Sequence, residues 1–235
     1  MLLETLEDAV RWRRDHRKKL KRGKKPQRRV ARKLRQCRRS QRCGTEACRV
    51  CMREFRISWL GEAIKIIVQR PHWTRCSVIT KGLLVPYNQL GNFDLDATVK
   101  RIRKRLERSA IRNRLVLGAL DISLNVENNM IAGWQWHLYL LIEGEKDPAL
   151  QRAVKHAFPP EPTALVPYDL AEVADPLEVI TYAYKALFER RSGYKDSRGN
   201  RHTTDQALKG PDLRTAAVIG QVQNRSTADL GRRAS

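Results

Sequence analysis

Four cysteines, Cys37, Cys43, Cys48 and Cys51, fall in one short basic segment with five, four and two residues between them. Four thiolates can close a tetrahedral Zn²⁺ site, and Cys48-x-x-Cys51 has the knuckle spacing that zinc favours. Such a site leaves no open coordination position, so its role is structural. Arg42, Arg49 and Arg53 flank the cysteines, and their charge lowers thiol pKa values and favours metal binding. The competing reading is four free cysteines in a basic segment. Cys76 stands alone on a predicted strand and reads as a core thiol.

The chain has 235 residues, 41% of them hydrophobic, enough for a buried core and consistent with one domain plus an appendage. Its formal net charge is +22 and its pI about 10.4. A surface this basic attracts polyanions, nucleic acid before anionic membrane. No apolar run approaches the roughly 18 residues needed to span a bilayer. The start, Met1-Leu2-Leu3-Glu4, has no basic segment leading into an apolar stretch, which argues against a signal peptide. The expected location is cytoplasmic, where cysteines serve metal sites or stay free rather than forming disulfides.

Charge and patterning divide the chain into a basic N-terminal arm (1–36), a cysteine-rich zinc module (37–56), a patterned folded domain (57–191) and a basic flexible tail (192–235). The arm reads as a short helix followed by a crowd of cations, Arg17, Lys18 and Lys19 among them, with Arg28 and Arg29 further on. Such a run is solvated and partly disordered, yet able to grip phosphates with a steep salt dependence. Beyond the cysteines, Ile57, Leu60, Ile64 and Ile67 share one helical face, and Pro71 ends that helix. Residues 76–86 read as a strand. Asp94 or Asp96 caps a helix with the stripe Val99, Ile102, Leu106 and Ala110. Its basic back includes Arg101 and Arg105. Residues 115–126 and 133–142 read as two strands with a turn beginning at Asn128-Asn129, an antiparallel hairpin or near neighbours. Residues 144–174 read as a helix at 150–158 and a loop.

In the strand 133–142, Gln135, His137 and Tyr139 share one face, and Trp134, Trp136, Leu138 and Leu140 the other, apolar one. A polar row of this kind offers an imidazole nitrogen and an amide oxygen to Mg²⁺ or Mn²⁺. Asp121, on the preceding strand, reaches the same metal if the two strands pair. A lone satisfied histidine on the outer face of a sheet is the bland alternative. After the loop, Asp175-Pro176-Leu177-Glu178 starts a helix expected to run to Arg191, with Gly193 as its end signal. Leu177, Ile180, Tyr184, Leu187 and Phe188 form its apolar stripe. Tyr182 lies about half a turn from that stripe, with Lys185 at i+3. Lys185 would favour the phenolate and steady a phosphate oxygen. An ordinary exposed tyrosine is the competing reading.

Taken in order, these segments resemble the rolling-circle plasmid replication initiators of the HUH endonuclease group. Cys43-Gly44 through Cys48-x-x-Cys51 is similar to the family's cysteine-rich segment. Asp121-Ile122-Ser123-Leu124-Asn125 resembles its acidic strand end, 134–141 its histidine strand, and Tyr182-Ala183-Tyr184-Lys185 its Tyr-x-x-Lys helix. The family strand carries two histidines around one apolar residue. Here His137 is one, and either Tyr139 or Gln135 stands at the other. The resemblance implies an α+β fold, a central antiparallel sheet with helices packed on one face and the tyrosine helix lying across the metal strand. It implies a metal-dependent endonuclease. His137, Asp121 and Gln135 would hold Mg²⁺ or Mn²⁺, Tyr182 would attack single-stranded origin DNA, and the 3′-hydroxyl released would prime synthesis by host helicase and polymerase. The arm and zinc module would grip origin duplex. Two other functions fit the same residues: a non-catalytic DNA-binding relative, and a zinc-containing RNA-binding protein.

Overall fold

A computed structural model describes residues 3–127, 130–162, 164, 166–183, 189–195, 201–208 and 216. The alternation in 133–142 gives a long strand, β4 (Met130–Glu143), paired antiparallel along its length with β3 (Val116–Glu127). The register shifts between Asn125 and Val126, opposite Gly133. Gly133 takes φ +134°, and a Cβ there would lie 2.7 Å from the Val85 carbonyl oxygen. Glycine therefore permits the short strand β2 (Leu84–Val85) to close on β4. Beside β2 on the same edge of β4 lies β1 (Trp73–Val78), followed outward by β5 (Tyr168–Glu172). On the other side, β6 (Glu189–Lys195) runs parallel to β3 and pairs antiparallel with β7 (Arg201–Ala207). The order is β5-β1-β4-β3-β6-β7, with β2 alongside on β4.

The molecule is thus α+β, but its sheet is mixed rather than antiparallel, because β6 joins β3 in parallel. Helices cover both faces rather than one. On the face of even-numbered β3 and β4 residues, Leu120, Ile122, Leu124, Trp134, Trp136 and Leu138 pack against α4 (Leu95–Arg108) and α5 (Pro148–Ala157). On the odd face, Leu117 and Leu141 pack against α3 (Arg49–Ile67) and α6 (Pro176–Ala183). Asp94 caps α4, its Oδ1 accepting from the Ala97 amide at 2.9 Å, and Asp147 caps α5 in the same way.

Other departures have local causes. The span 76–86 is two strands, broken where Gly82 takes φ +83°. The segment after α5 contains β5, whose edge position tolerates a weak alternation. The helix expected to reach Arg191 has given way to β6 by Glu189, since pairing with the open edge of β3 overrides helical propensity. Gly193, read as its end signal, pairs with Glu127 in that strand. Within α6 the stripe is rotated: Ile180 is buried and Leu177 exposed. Tyr184, Lys185, Leu187 and Phe188, like Asn128-Asn129, lie outside the described residues. The segment from 192 onward is not merely a flexible tail, because it supplies the end of β6, all of β7, and Leu208 and Ala216 to the core.

The N-terminal arm is helical as well. Helix α1 (Leu6–Lys21) starts at Thr5, whose hydroxyl accepts from the Asp8 amide at 3.1 Å, and ends in Lys18, Lys19 and Lys21. Acid at the start and base at the end both suit the helix dipole. Helix α2 (Lys25–Gln36) follows, with Pro26 in its first turn. Ala9, Leu20, Val30, Ala31 and Leu34 join Val50 and the cysteines Cys37, Cys48 and Cys51 in one small core. In α3 the buried face is Leu60, Ala63 and Ile67 together with Arg49 and Arg56, so Ile57 and Ile64 are exposed. Arg56 Nη1 donates to Glu4 Oε2 at 2.6 Å, both side chains buried. No described helix is long and apolar enough to cross a membrane.

Candidate functional site

Cys37 follows the last residue of α2, Cys43 lies in the intervening loop, Cys48 precedes the first residue of α3, and Cys51 is in its first turn. Gly44, at φ 60°, turns the loop after Cys43. The four Sγ atoms lie within 4.8 Å of one another. Cys37 to Cys51 is 3.5 Å, Cys43 to Cys51 3.6 Å, and Cys48 to Cys37 3.7 Å. A tetrahedron with Zn–S bonds of about 2.3 Å has edges of about 3.8 Å. The cluster can therefore hold a structural metal such as zinc.

The thiols act strongly on one another. Hydrogen bonds from Cys48 and then Cys51 hold the Cys43 thiol far below its usual range. The same contacts with Cys43 push Cys48 up, and push Cys51 up to about 12. A divalent cation held between the sulfurs would favour the thiolate form of its ligands. Of the flanking arginines, Arg42 reaches Cys37 while pairing with Glu54. Arg53 Nε instead donates to the Glu4 carbonyl at 2.8 Å. Arg49 is buried over the Trp12 ring, 5.6 Å from its centroid, where desolvation lowers its pKa to about 10.

The second cluster is the polar row. Asp121 is the register partner of His137, Ser123 of Gln135, and Ala119 of Tyr139. All point to the odd face, and Asp121, Ser123, Gln135 and His137 are buried. His137 Nε2 lies 3.1 Å from Ser123 Oγ, which donates to Asn125 Oδ1 at 3.0 Å. Gln135 Nε2 donates to the carbonyls of Leu83 at 3.3 Å and Trp136 at 2.9 Å. At the other end of the row, Tyr139 and Ala119 pack under Phe55 and Trp59 of α3, and the His137 and Tyr139 rings stack with centroids 6.3 Å apart. Helix α6 packs across β3, β4 and α3 on this same face.

The expected donors Asp121, His137 and Gln135 are therefore gathered on adjacent strand positions. The backbone of Tyr182 belongs to the covering helix; its side chain, and all of Lys185, lie outside the described residues. Ser123 and Asn125 entered the sequence reading only as members of the run 121–125 and were given no role, though their spacing of two and four from Asp121 puts them on its face. The cationic residues do not form one patch. Lys18, Lys19, Arg28 and Arg29 are exposed, and Arg17 half-buried, on α1 and α2. Arg101 and Arg105 are exposed on α4, across the sheet from α3. No protein-family model, curated protein or solved structure was found to match this chain.

Proposed function

We propose that this chain is a replication initiator of the rolling-circle type, which binds origin DNA and nicks one strand through Tyr182. The observation that supports this most is the pairing of Asp121 with His137 at one register position, buried on the face that α6 covers. A carboxylate, an imidazole and the Gln135 amide make a donor set suited to Mg²⁺ or Mn²⁺. A cation bound there would polarise a scissile phosphate as a Lewis acid. Tyr182 would form the new P–O bond to the 5′-phosphate, the 3′-oxygen would leave as a hydroxyl after taking a proton, and Lys185 would balance charge at the phenolate. Ser123 would hold the His137 ring through the 3.1 Å contact with Nε2.

A second reading, a non-catalytic DNA binder, is favoured by one observation: His137 and Gln135 already have hydrogen-bond partners within the sheet. One assay separates the two. Full-length protein is incubated with single-stranded oligonucleotides and Mn²⁺ and run on a denaturing gel. The nickase gives a covalent adduct that Tyr182→Phe abolishes and Tyr184→Phe retains. Absence of any adduct over a broad oligonucleotide set leaves the non-catalytic reading.

A further inference from the structure

Helix α2 carries no acidic residue, and Val30, Ala31 and Leu34 are its buried members. At about 100° per residue, the direction opposite that apolar face is occupied by Lys25, Arg29, Arg32 and Gln36, at i, i+4, i+7 and i+11. All four are exposed. Arg28 and Arg35 flank the row on one side and Lys33 on the other. No ion pair among the described residues involves any of these cations. In contrast, Arg11 and Lys18 of α1 pair with Asp8 and Asp15. Like charges three and four positions apart repel along a helix, so α2 is held folded from its other side. Its apolar face packs in the core shared with α1, the Cys37 thiol joins the four-sulfur cluster, and Arg13 Nη1 donates to the Cys37 carbonyl at 2.9 Å.

We propose that α2 is a recognition helix that seats in the major groove of duplex DNA. Arg29, Arg32 and Gln36 face base edges, and Arg28, Lys33 and Arg35 face the phosphates of the groove walls. The major groove of B-DNA admits an α-helix, and the pairings its chemistry favours are arginine with guanine and glutamine with adenine. The seven-residue step from Arg29 to Gln36 rises about 10 Å along the helix, or about three base-pair steps of ~3.4 Å. A-form RNA has a deep, narrow major groove that side chains cannot read. A lipid surface needs an apolar face to insert, and α2 has spent that face on its own core. This inference rests on the proposed function for its partner, origin duplex, and adds the helix, the groove and the residues that would read it.

The test uses the full chain with its metal. A preferred duplex is selected from a randomised pool, and binding is followed by fluorescence anisotropy across salt concentrations. Arg29→Ala, Arg32→Ala and Gln36→Ala are each expected to lose about tenfold or more on the selected duplex and to relax preference at a single base pair. Arg28→Ala and Arg35→Ala are expected to weaken all duplexes alike and to lower the salt slope by about 0.9 each. Arg32→Lys keeps the charge but not the bidentate fork, and should lose preference without changing that slope. Helical content and bound metal are measured on every variant. Failure to select any preferred duplex, unchanged preference in the row variants, or tighter binding of double-stranded RNA or anionic vesicles would overturn the assignment. Row variants should still form the oligonucleotide adduct through Tyr182. Adduct without duplex reading would sink α2 and spare the nickase, and duplex reading without adduct would do the reverse.

Discussion

The two halves of this molecule reach stability by different means. The sheet is closed by large side chains: Trp134, Leu124 and Leu138 are fully buried on its even face, Phe93 stacks on Trp136 at 5.1 Å, and Tyr87 on Trp134 at 6.1 Å. The core that joins α1, α2 and the start of α3 is built of alanine, valine, leucine and cysteine, with no aromatic among its buried members. The outer face of α2 also carries cations that make no ion pair among the described residues. A core that small supplies little hydrophobic stabilisation, so a metal held by the four cysteines would add its binding free energy where the repulsion opposes folding. The contrast predicts that the helical half depends on a metal at the four cysteines and that the sheet does not.

Metal removal should break the comparison most visibly. Chelation, or Cys51→Ser, is expected to unfold α1 and α2 while leaving the sheet, because a structural zinc site contributes its binding free energy directly to folding. Far-UV circular dichroism would lose helical signal, the near-UV signal of Trp134 and Trp136 would persist, and elemental analysis would find one metal per chain before treatment. A chain that holds its full helical content without metal contradicts the contrast.

Trp134→Ala does the converse. It empties a fully buried site, breaks the stack on Tyr87, and removes the 3.0 Å bond from Trp134 Nε1 to the Tyr87 carbonyl. A loss of about 3–5 kcal/mol is expected in urea unfolding of the sheet, with the metal still bound.

Sequence reading served these halves unequally, for a physical reason. The strands β3 and β4 were legible because alternation of polar and apolar residues has one structural meaning, whereas the register that sets Asp121 opposite His137 is seen only in the structure. A cap at Asp94 or Asp96 and the spacing of the four thiols were legible for the same cause, a short-range rule, and the structure selects Asp94. The arm was misread because its apolar positions, Ala9, Leu20, Val30, Ala31 and Leu34, are few and lie among cations that suggest disorder. Burial of Arg49 and Arg56 hid the true inner face of α3, since buried arginines depend on partners, Trp12 and Glu4, that are distant in sequence. The fates of β5, β6 and β7 depend on which sheet edges are open, which no local pattern encodes.

A smaller effect tests the helical half from within. His16 is buried, its Nδ1 donating to the Ala47 carbonyl at 3.4 Å, and its pKa falls from 6.5 to about 4, first by desolvation and then by the charge of Arg49. Folded, the imidazole stays neutral; unfolded, it takes a proton below its ordinary pKa. Its contribution is therefore complete above pH 6.5 and is lost as pH falls towards about 4, up to roughly 3 kcal/mol. Metal affinity at a cysteine site also falls with pH, so the measurement is a difference. His16→Asn should flatten the decline of thermal stability between pH 6.5 and 4 relative to the parent chain, both metal-loaded. Parallel pH profiles would remove His16 from the account.

The smallest expected change in stability belongs to Asp121→Asn, and it bears on why the sheet is not uniformly dry. Asp121, Ser123, Gln135 and His137 are about as buried as the tryptophans on the reverse of the same strands. A polar row in that layer costs desolvation that an apolar row would not. If it serves only as packing, an amide of the same shape disturbs its hydrogen bonds and destabilises the fold by about 1–3 kcal/mol. If it serves chemistry, the amide removes a buried charge held there for function, and stability stays within about 1 kcal/mol or rises. The prediction is an unchanged or higher melting temperature together with loss of Mn²⁺ binding, followed by calorimetry on the metal-loaded and chelated chains. A clear fall in melting temperature with Mn²⁺ affinity intact would return the row to structure.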